Sequence, residues 1–183
     1  MIFNRHTRRS DAELIVKIAD GDEGAFAELL RRYRDAVYGF ACRMLGDPQE
    51  AEDVAQETFL RFYRASNRYR ADAALRTYLL KIAKNICIDH FRKKRPEIMD
   101  ELPDTPTEET PLDLLEGAIA ADRLEKAIGD LPVNQRTAIL LRHTEQLSYQ
   151  RISEIMDVSI GAVESLLVRA RRTLRRDLAL LEK

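Results

Sequence analysis

At 183 residues with a formal net charge of −1, the chain can form one ordinary domain or two small ones and has no overall electrostatic bias. Its charge is nevertheless sorted: residues 1–95 carry 19 Lys and Arg against 14 Asp and Glu, residues 96–122 nine acids and no base, and residues 123–183 11 bases against eight acids. This predicts two mildly basic modules able to meet phosphate and a connector repelled by it, while the lack of a bilayer-length apolar run, or of a signal peptide in MIFNRHTRR, predicts a cytoplasmic chain with no membrane insertion.

Ser10-Asp-Ala-Glu13 reads as a capping box that opens a short helix with Leu14, Ile15 and Ile18, stopping at Gly21. From Asp22, Phe26, Leu29, Tyr33, Val37, Phe40 and Met44 recur at three- and four-residue steps, and Gly46 ends that helix. Asp47-Pro48-Gln49-Glu50 then gives an acid cap, a proline in the first turn and a helix to about Ser66. Its inner face carries Ala51, Ala55, Phe59 and Phe62, and its outer face Asp53, Gln56, Glu57, Leu60 and Arg64. After a loop over 67–73 a fourth helix runs from about Ala74 to Lys94, apolar on two sides, with a narrow polar stripe of Thr77, Lys81, Lys84, Asn85 and Arg92. That stripe is either the solvated edge of a buried helix or, beside the loop bearing Tyr69 and Arg70, a track for an unpaired strand. Cys42 and Cys87 lack CxxC spacing and sit among apolar residues, which predicts buried, reduced thiols.

Residues 96–111 hold four of the six prolines and read as a flexible acidic linker. The spacing of Leu114, Ala118, Ala121, Leu124 and Ile128 restores a helix over 112–128, broken at Gly129-Asp130, and Pro132 opens another through about His143. Ser148 caps a helix with Ile152, Ile155 and Met156, Asp157-Val158-Ser159 turns, and Ser159 caps a second, basic helix through Arg176. Val163, Leu167, Ala170 and Leu174 share one face of it, with Gly161, Ser165, Val168, Arg169, Arg172 and Arg176 opposite. The layout fits a helix-turn-helix whose second helix enters the DNA major groove, and equally an amphipathic hairpin with a solvated basic face. No alternating run long enough for a sheet occurs, so the expected fold is all-α: domains at 1–95 and 112–183 joined by the linker at 96–111.

Taken together, these segments resemble the extracytoplasmic-function sigma factors of bacterial RNA polymerase, over about Asp11 to Arg176. The resemblance rests on Glu52-Asp-Val-Ala-Gln-Glu-Thr-Phe59, on Leu75 to Arg92 (LRTYLLKIAKNICIDHFR), and on Leu131-Pro132, Arg136, Leu147-Ser-Tyr149 and Gly161 to Arg171 (GAVESLLVRAR). Tyr78 stands where a tryptophan is usual, Glu164 and Leu166 where basic residues are common, and Arg151 where an acid is frequent.

The resemblance implies that Asp53, Gln56, Glu57 and Leu60 dock on the β′ clamp coiled coil of core RNA polymerase, with further contacts to the β subunit. It implies that Tyr69, Arg70, Ala71 and Asp72 surround a flipped base of the −10 element, and that Lys81, Lys84, Asn85 and Arg92 track the displaced strand. The helix-turn-helix at Tyr149 to Val168 would read the −35 element through Arg151, Gly161, Glu164, Ser165, Arg169 and Arg172. It further implies a linker lying in a basic polymerase channel as a phosphate mimic, and an anti-sigma factor as partner. A conventional helix-turn-helix regulator, or a helical polymerase-binding adaptor, would share parts of this pattern. With His6, His90 and His143 scattered and no HExxH, phosphate loop or GxSxG elbow, no catalysis, cofactor or metal site is expected.

Overall fold

The computed structural model describes residues 9–69, 74–94 and 121–180, and among them every regular element is helical. Local chemistry sets many of the boundaries. Helix α1 (Asp11–Ala19) opens on the full capping box: Ser10 Oγ accepts from Glu13 N, and the Glu13 carboxylate accepts from Ser10 N at 2.7 Å. Asp22 caps α2 (Glu23–Leu45) by accepting from Ala25 N at 2.9 Å, and Gly46 closes it at φ 73°, a left-handed conformation that costs glycine little. Asp47 Oδ1 takes two free amides of α3 (Pro48–Ala65), at 2.8 and 3.1 Å. A 3₁₀ turn at Ser66–Arg68 follows, then α4 (Leu75–Lys94). Each such cap stabilises its helix by about 1 kcal/mol.

These helices close around Leu14, Ile18, Leu29, Phe40, Met44, Phe62, Leu79 and Leu80, none more than 2% exposed. Tyr78 fills its place by aromatic contact, its ring centroid 4.7 Å from that of Tyr69 and 6.4 Å from that of Phe62. Cys87 is fully buried and Cys42 half-buried, and both are free thiols.

The second body holds α5 (Ala121–Gly129), α6 (Val133–His143), α7 (Tyr149–Met156) and α8 (Ile160–Leu180). Pro132 is the cap residue of α6 rather than its first helical residue, one position earlier in role than the sequence suggests. The helix expected over 112–128 is seen only as α5, and its earlier part, with the linker at 96–111, lies outside the described residues. Ser148 and Ser159 cap α7 and α8, accepting from Arg151 N at 3.3 Å and Ala162 N at 3.1 Å, and Asp157 makes the turn between them at φ 60°. Helix α8 extends beyond Arg176 to Leu180. Every residue from Val133 to Leu141 in α6 is buried, because α6 lies between α8 of its own body and α2 of the other.

The two bodies pack against each other through α2 with α5 and α6, and through α4 with α6 and α7. Arg136 is the centre of the contact. Its Nη1 donates to Met44 O at 2.5 Å, satisfying a carbonyl in the last turn of α2, where the helix dipole favours a cation. Its Nη2 donates to Leu131 O at 3.1 Å and to Gly129 O, and its guanidinium lies 5.2 Å from the centre of the Phe91 ring in α4. Beside it Thr137 Oγ1 stands 3.7 Å from Met44 Sδ.

Candidate partner and nucleic-acid interfaces

On α3 the core-facing residues Ala51, Val54, Ala55, Phe59 and Phe62 leave an opposite face to solvent. Asp53, Gln56 and Leu60 are exposed on it and Glu57 is half-exposed, an i, i+3, i+4, i+7 stripe along one side. Glu57 is tied to Arg61, whose Nε donates to it at 2.7 Å, and this bond holds the Glu57 carboxyl below its ordinary range. Leu60 is 47% exposed and Tyr63 43%, so an apolar pair adjoins the acidic stripe. Leu60 is legible from the helical spacing and Tyr63 is not; the Tyr63 ring packs at 5.1 Å on that of Phe26 while keeping an exposed edge.

The polar stripe of α4 divides. Asn85 and Arg92 are exposed and Lys81 is half-buried, but Thr77 and Lys84 are buried, Lys84 at 6% exposure. The expectation of a solvated Lys84 is thus corrected: α7 packs over this stretch of α4. Burial, with the field of Lys81 second, pushes the Lys84 ammonium below the usual lysine range, against a smaller opposing pull from Asp157. Tyr69 is half-buried against Tyr78 and Phe62, at the mouth of the loop. Arg70, Ala71 and Asp72 lie outside the described residues.

The start of α4 is also engaged. Arg76 pairs with Glu145, in the turn between α6 and α7, and Arg43 of α2 lies 3.8 Å from the same carboxylate. The Glu145 side chain is only 3% exposed, against 39% for Arg43 and 44% for Arg76. Nothing in the sequence marks Glu145, which belongs to no periodic pattern.

In the helix-turn-helix, Glu164, Arg169 and Arg172 are exposed, Gly161 and Arg151 half-exposed. Arg151 donates to Glu154 at 2.7 Å, a bond that lowers the Glu154 carboxyl and ties up the arginine. Ser165 differs from expectation: it is fully buried and already engaged in a contact, although its angular position is on the outer side. Leu166 is fully buried and packs in the core.

The described residues thus form two helical bodies, one with an open acidic-apolar face on α3 and one with a capped helix-turn-helix. Residues 29–97 match the family model of Sigma-70 region 2, and residues 121–174 that of Sigma-70, region 4. The chain is 32% identical to the ECF RNA polymerase sigma factor SigW of Bacillus subtilis, over 90% of this chain and 94% of that one. It is 34% identical to the RNA polymerase sigma-H factor of Pseudomonas aeruginosa, over 92% and 93% respectively. Among solved structures it is similar to CnrH in complex with the cytosolic domain of CnrY, with a TM-score of 0.66 and 26% identity, over 94% of this chain and 97% of that one. The fold is also that of the sigma factor RpoE in complex with the anti-sigma factor NepR from Bartonella quintana, with a TM-score of 0.66, 24% identity and 84% of this chain covered. The chain belongs to the extracytoplasmic-function sigma factors of bacterial RNA polymerase. Among the described residues no helix is long and apolar enough to cross a membrane.

Proposed function

We propose that this sigma factor docks on core polymerase through the outer face of α3, with Asp53, Gln56, Glu57 and Leu60 on the β′ clamp coiled coil. The observation that carries this is the open stripe itself: three carboxylate or amide side chains and an exposed leucine on one face, with Tyr63 at its edge. An apolar centre with a polar rim is the composition of a protein contact. Tyr69, Arg70, Ala71 and Asp72 would then receive the flipped −10 base, at an unstacking cost of a few kcal/mol. Lys81, Asn85 and Arg92, joined by Lys84 once uncovered, would hold the displaced strand. Helix α8 would enter the −35 major groove, with Arg169 and Arg172 against phosphate.

This reading requires the two bodies to part. Elements near −10 and −35 are about 25 base pairs apart, roughly 85 Å of duplex at 3.4 Å per pair, whereas here α7 lies directly on α4. Glu145, paired with Arg43 and Arg76, would act meanwhile as an internal stand-in for DNA phosphate, with Asp157 contributing its field at Lys84. An anti-sigma factor would restrain this chain by holding the bodies together, and the acidic linker at 96–111 would follow a basic polymerase channel after release.

The test is transcription by core polymerase, with and without the protein, on a pool of bacterial promoters. New start sites should appear with the protein and vanish with the double change Asp53→Ala, Gln56→Ala in a folded chain. Undiminished initiation by that double variant would refute the docking assignment.

A further inference from the structure

Along the first nine residues of α8, five side chains are buried: Val163, Leu166 and Leu167 within the core, and Ala162 and Ser165 at 3% and 0% exposure. What remains on the surface is Ile160 at 42% exposure and Glu164, flanked by half-buried Gly161 and Val168. At about 100° per residue these four positions fall within one 100° arc, a single stripe down the helix. Glu164 is therefore the one exposed polar side chain in the part of the helix that meets base edges. The arginines begin at Arg169 and continue through Arg171, Arg172, Arg175 and Arg176, one to three turns further on. Among the described residues Glu164 takes part in no hydrogen bond or ion pair, whereas nearby Glu154 is held by Arg151.

From this, and resting on the assignment of α8 to the −35 groove, we propose that Glu164 sets the base preference of this sigma factor by accepting a hydrogen bond from the N4 amino group of a cytosine, with Ile160 and Val168 facing thymine methyls beside it. A carboxylate only accepts. In the major groove guanine offers it two acceptors and thymine one, all repulsive. Adenine offers an amino group flanked by the N7 acceptor, and cytosine an amino group with no competing acceptor. Placing a carboxylate in a groove lined by phosphate is unfavourable unless that donor is met, so Glu164 rejects wrong sequences as much as it selects the right one. The neighbouring arginines supply the phosphate contacts that hold the helix down.

An exposed glutamate on a helix surface can also simply be solvated, and that ordinary role predicts no sequence preference. The experiment separates the two. Core polymerase carrying the full-length protein is presented with a duplex library randomised across the upstream −35 element, and the transcribed members are sequenced. The wild type should enrich cytosine on one strand at one position by roughly fivefold or more, the usual penalty of one mismatched pair. Glu164→Gln should move that position towards adenine and Glu164→Arg towards guanine, following the side-chain pairings available in this groove, with the other positions unmoved. An unchanged base profile in both variants, or a profile that shifts with Ser165→Ala and not with Glu164, overturns the assignment. If the wild type starts no transcript from any member of the pool, it is the proposed placement of α8 in the −35 groove that fails.

Discussion

The outer face of α3 and the outer stripe of α4 belong to the same helical body and both carry charge, yet the rest of the chain treats them oppositely. The α3 face stands open, with Leu60 and Tyr63 each more than 40% exposed, whereas the α4 stripe lies partly beneath α7, with Lys84 at 6% and Arg76 bound to Glu145. Under the proposed assignment, the surface for polymerase is open in the free chain and the surface for single-stranded DNA is partly covered. The ordering this implies is recruitment first and promoter engagement second, with modest DNA affinity for the free chain.

The sharpest way to break that contrast is on the open side. Replacing Asp53 and Gln56 by alanine should lower initiation at least tenfold, the loss typical of one or two central contacts. Thermal stability should stay within about 0.5 kcal/mol, because both side chains are exposed. Run-off transcription and a circular-dichroism melt read the two effects.

On the covered side, Glu145→Ala removes the acid shared by Arg43 and Arg76. Breaking a buried pair costs about 3–5 kcal/mol when a charge is stranded, but these arginines are 39% and 44% exposed and can turn to water, so the cost should be nearer 1–2 kcal/mol. The contact between the bodies should loosen, seen as a larger radius of gyration by small-angle scattering and as stronger binding of a single-stranded −10 oligonucleotide. An unaltered radius would remove Glu145 from the closing contact.

Lys84 gives a smaller effect with a definite sign. Burial lowers its pKa in the folded chain relative to the unfolded one, so the unfolded state holds more protons in the window from that depressed value up to the ordinary lysine value near 10.5. Stability contributed by this group therefore rises with pH through that window and is lost as pH falls through the folded-state value. Lys84→Met should raise Tm at neutral pH by a few degrees, flatten that alkaline rise, and weaken promoter opening through loss of the strand contact. A lower Tm would show Lys84 to be stabilised where it lies.

The least demanding check concerns the thiols. Burial pushes Cys87 up to about 12, whereas Cys42 is half-exposed. Iodoacetamide at pH 8 should therefore add one adduct to the native chain and two after denaturation, by intact mass.

Much of this arrangement was legible in the sequence, and the reason is local. The Ser10–Glu13 box, the Asp22, Asp47, Ser148 and Ser159 caps and the Gly46 stop each depend on residues within a turn of one another, so their chemistry is written contiguously. The exposed stripe of α3 was equally readable, because an apolar inner stripe fixes which residues face out. What stayed hidden depends on packing between the bodies. Lys84 and Asn134-Gln135-Arg136 look like surface residues along the chain, and become buried only because α4 and α6 meet another body. Glu145 gave no signal, since its partners Arg43 and Arg76 are 102 and 69 residues away. Ser165 fits the outer arc of α8 by angle, yet it is fully buried in the folded chain.

The central claim is that a closed chain opens on polymerase, and the distance between the bodies measures it. Donor and acceptor dyes at Asn67 and Gln150, both exposed, in a Cys42→Ser background should give high energy transfer in the free protein and a large drop on adding core polymerase and promoter DNA. High transfer that persists in a complex actively starting RNA chains would contradict the account.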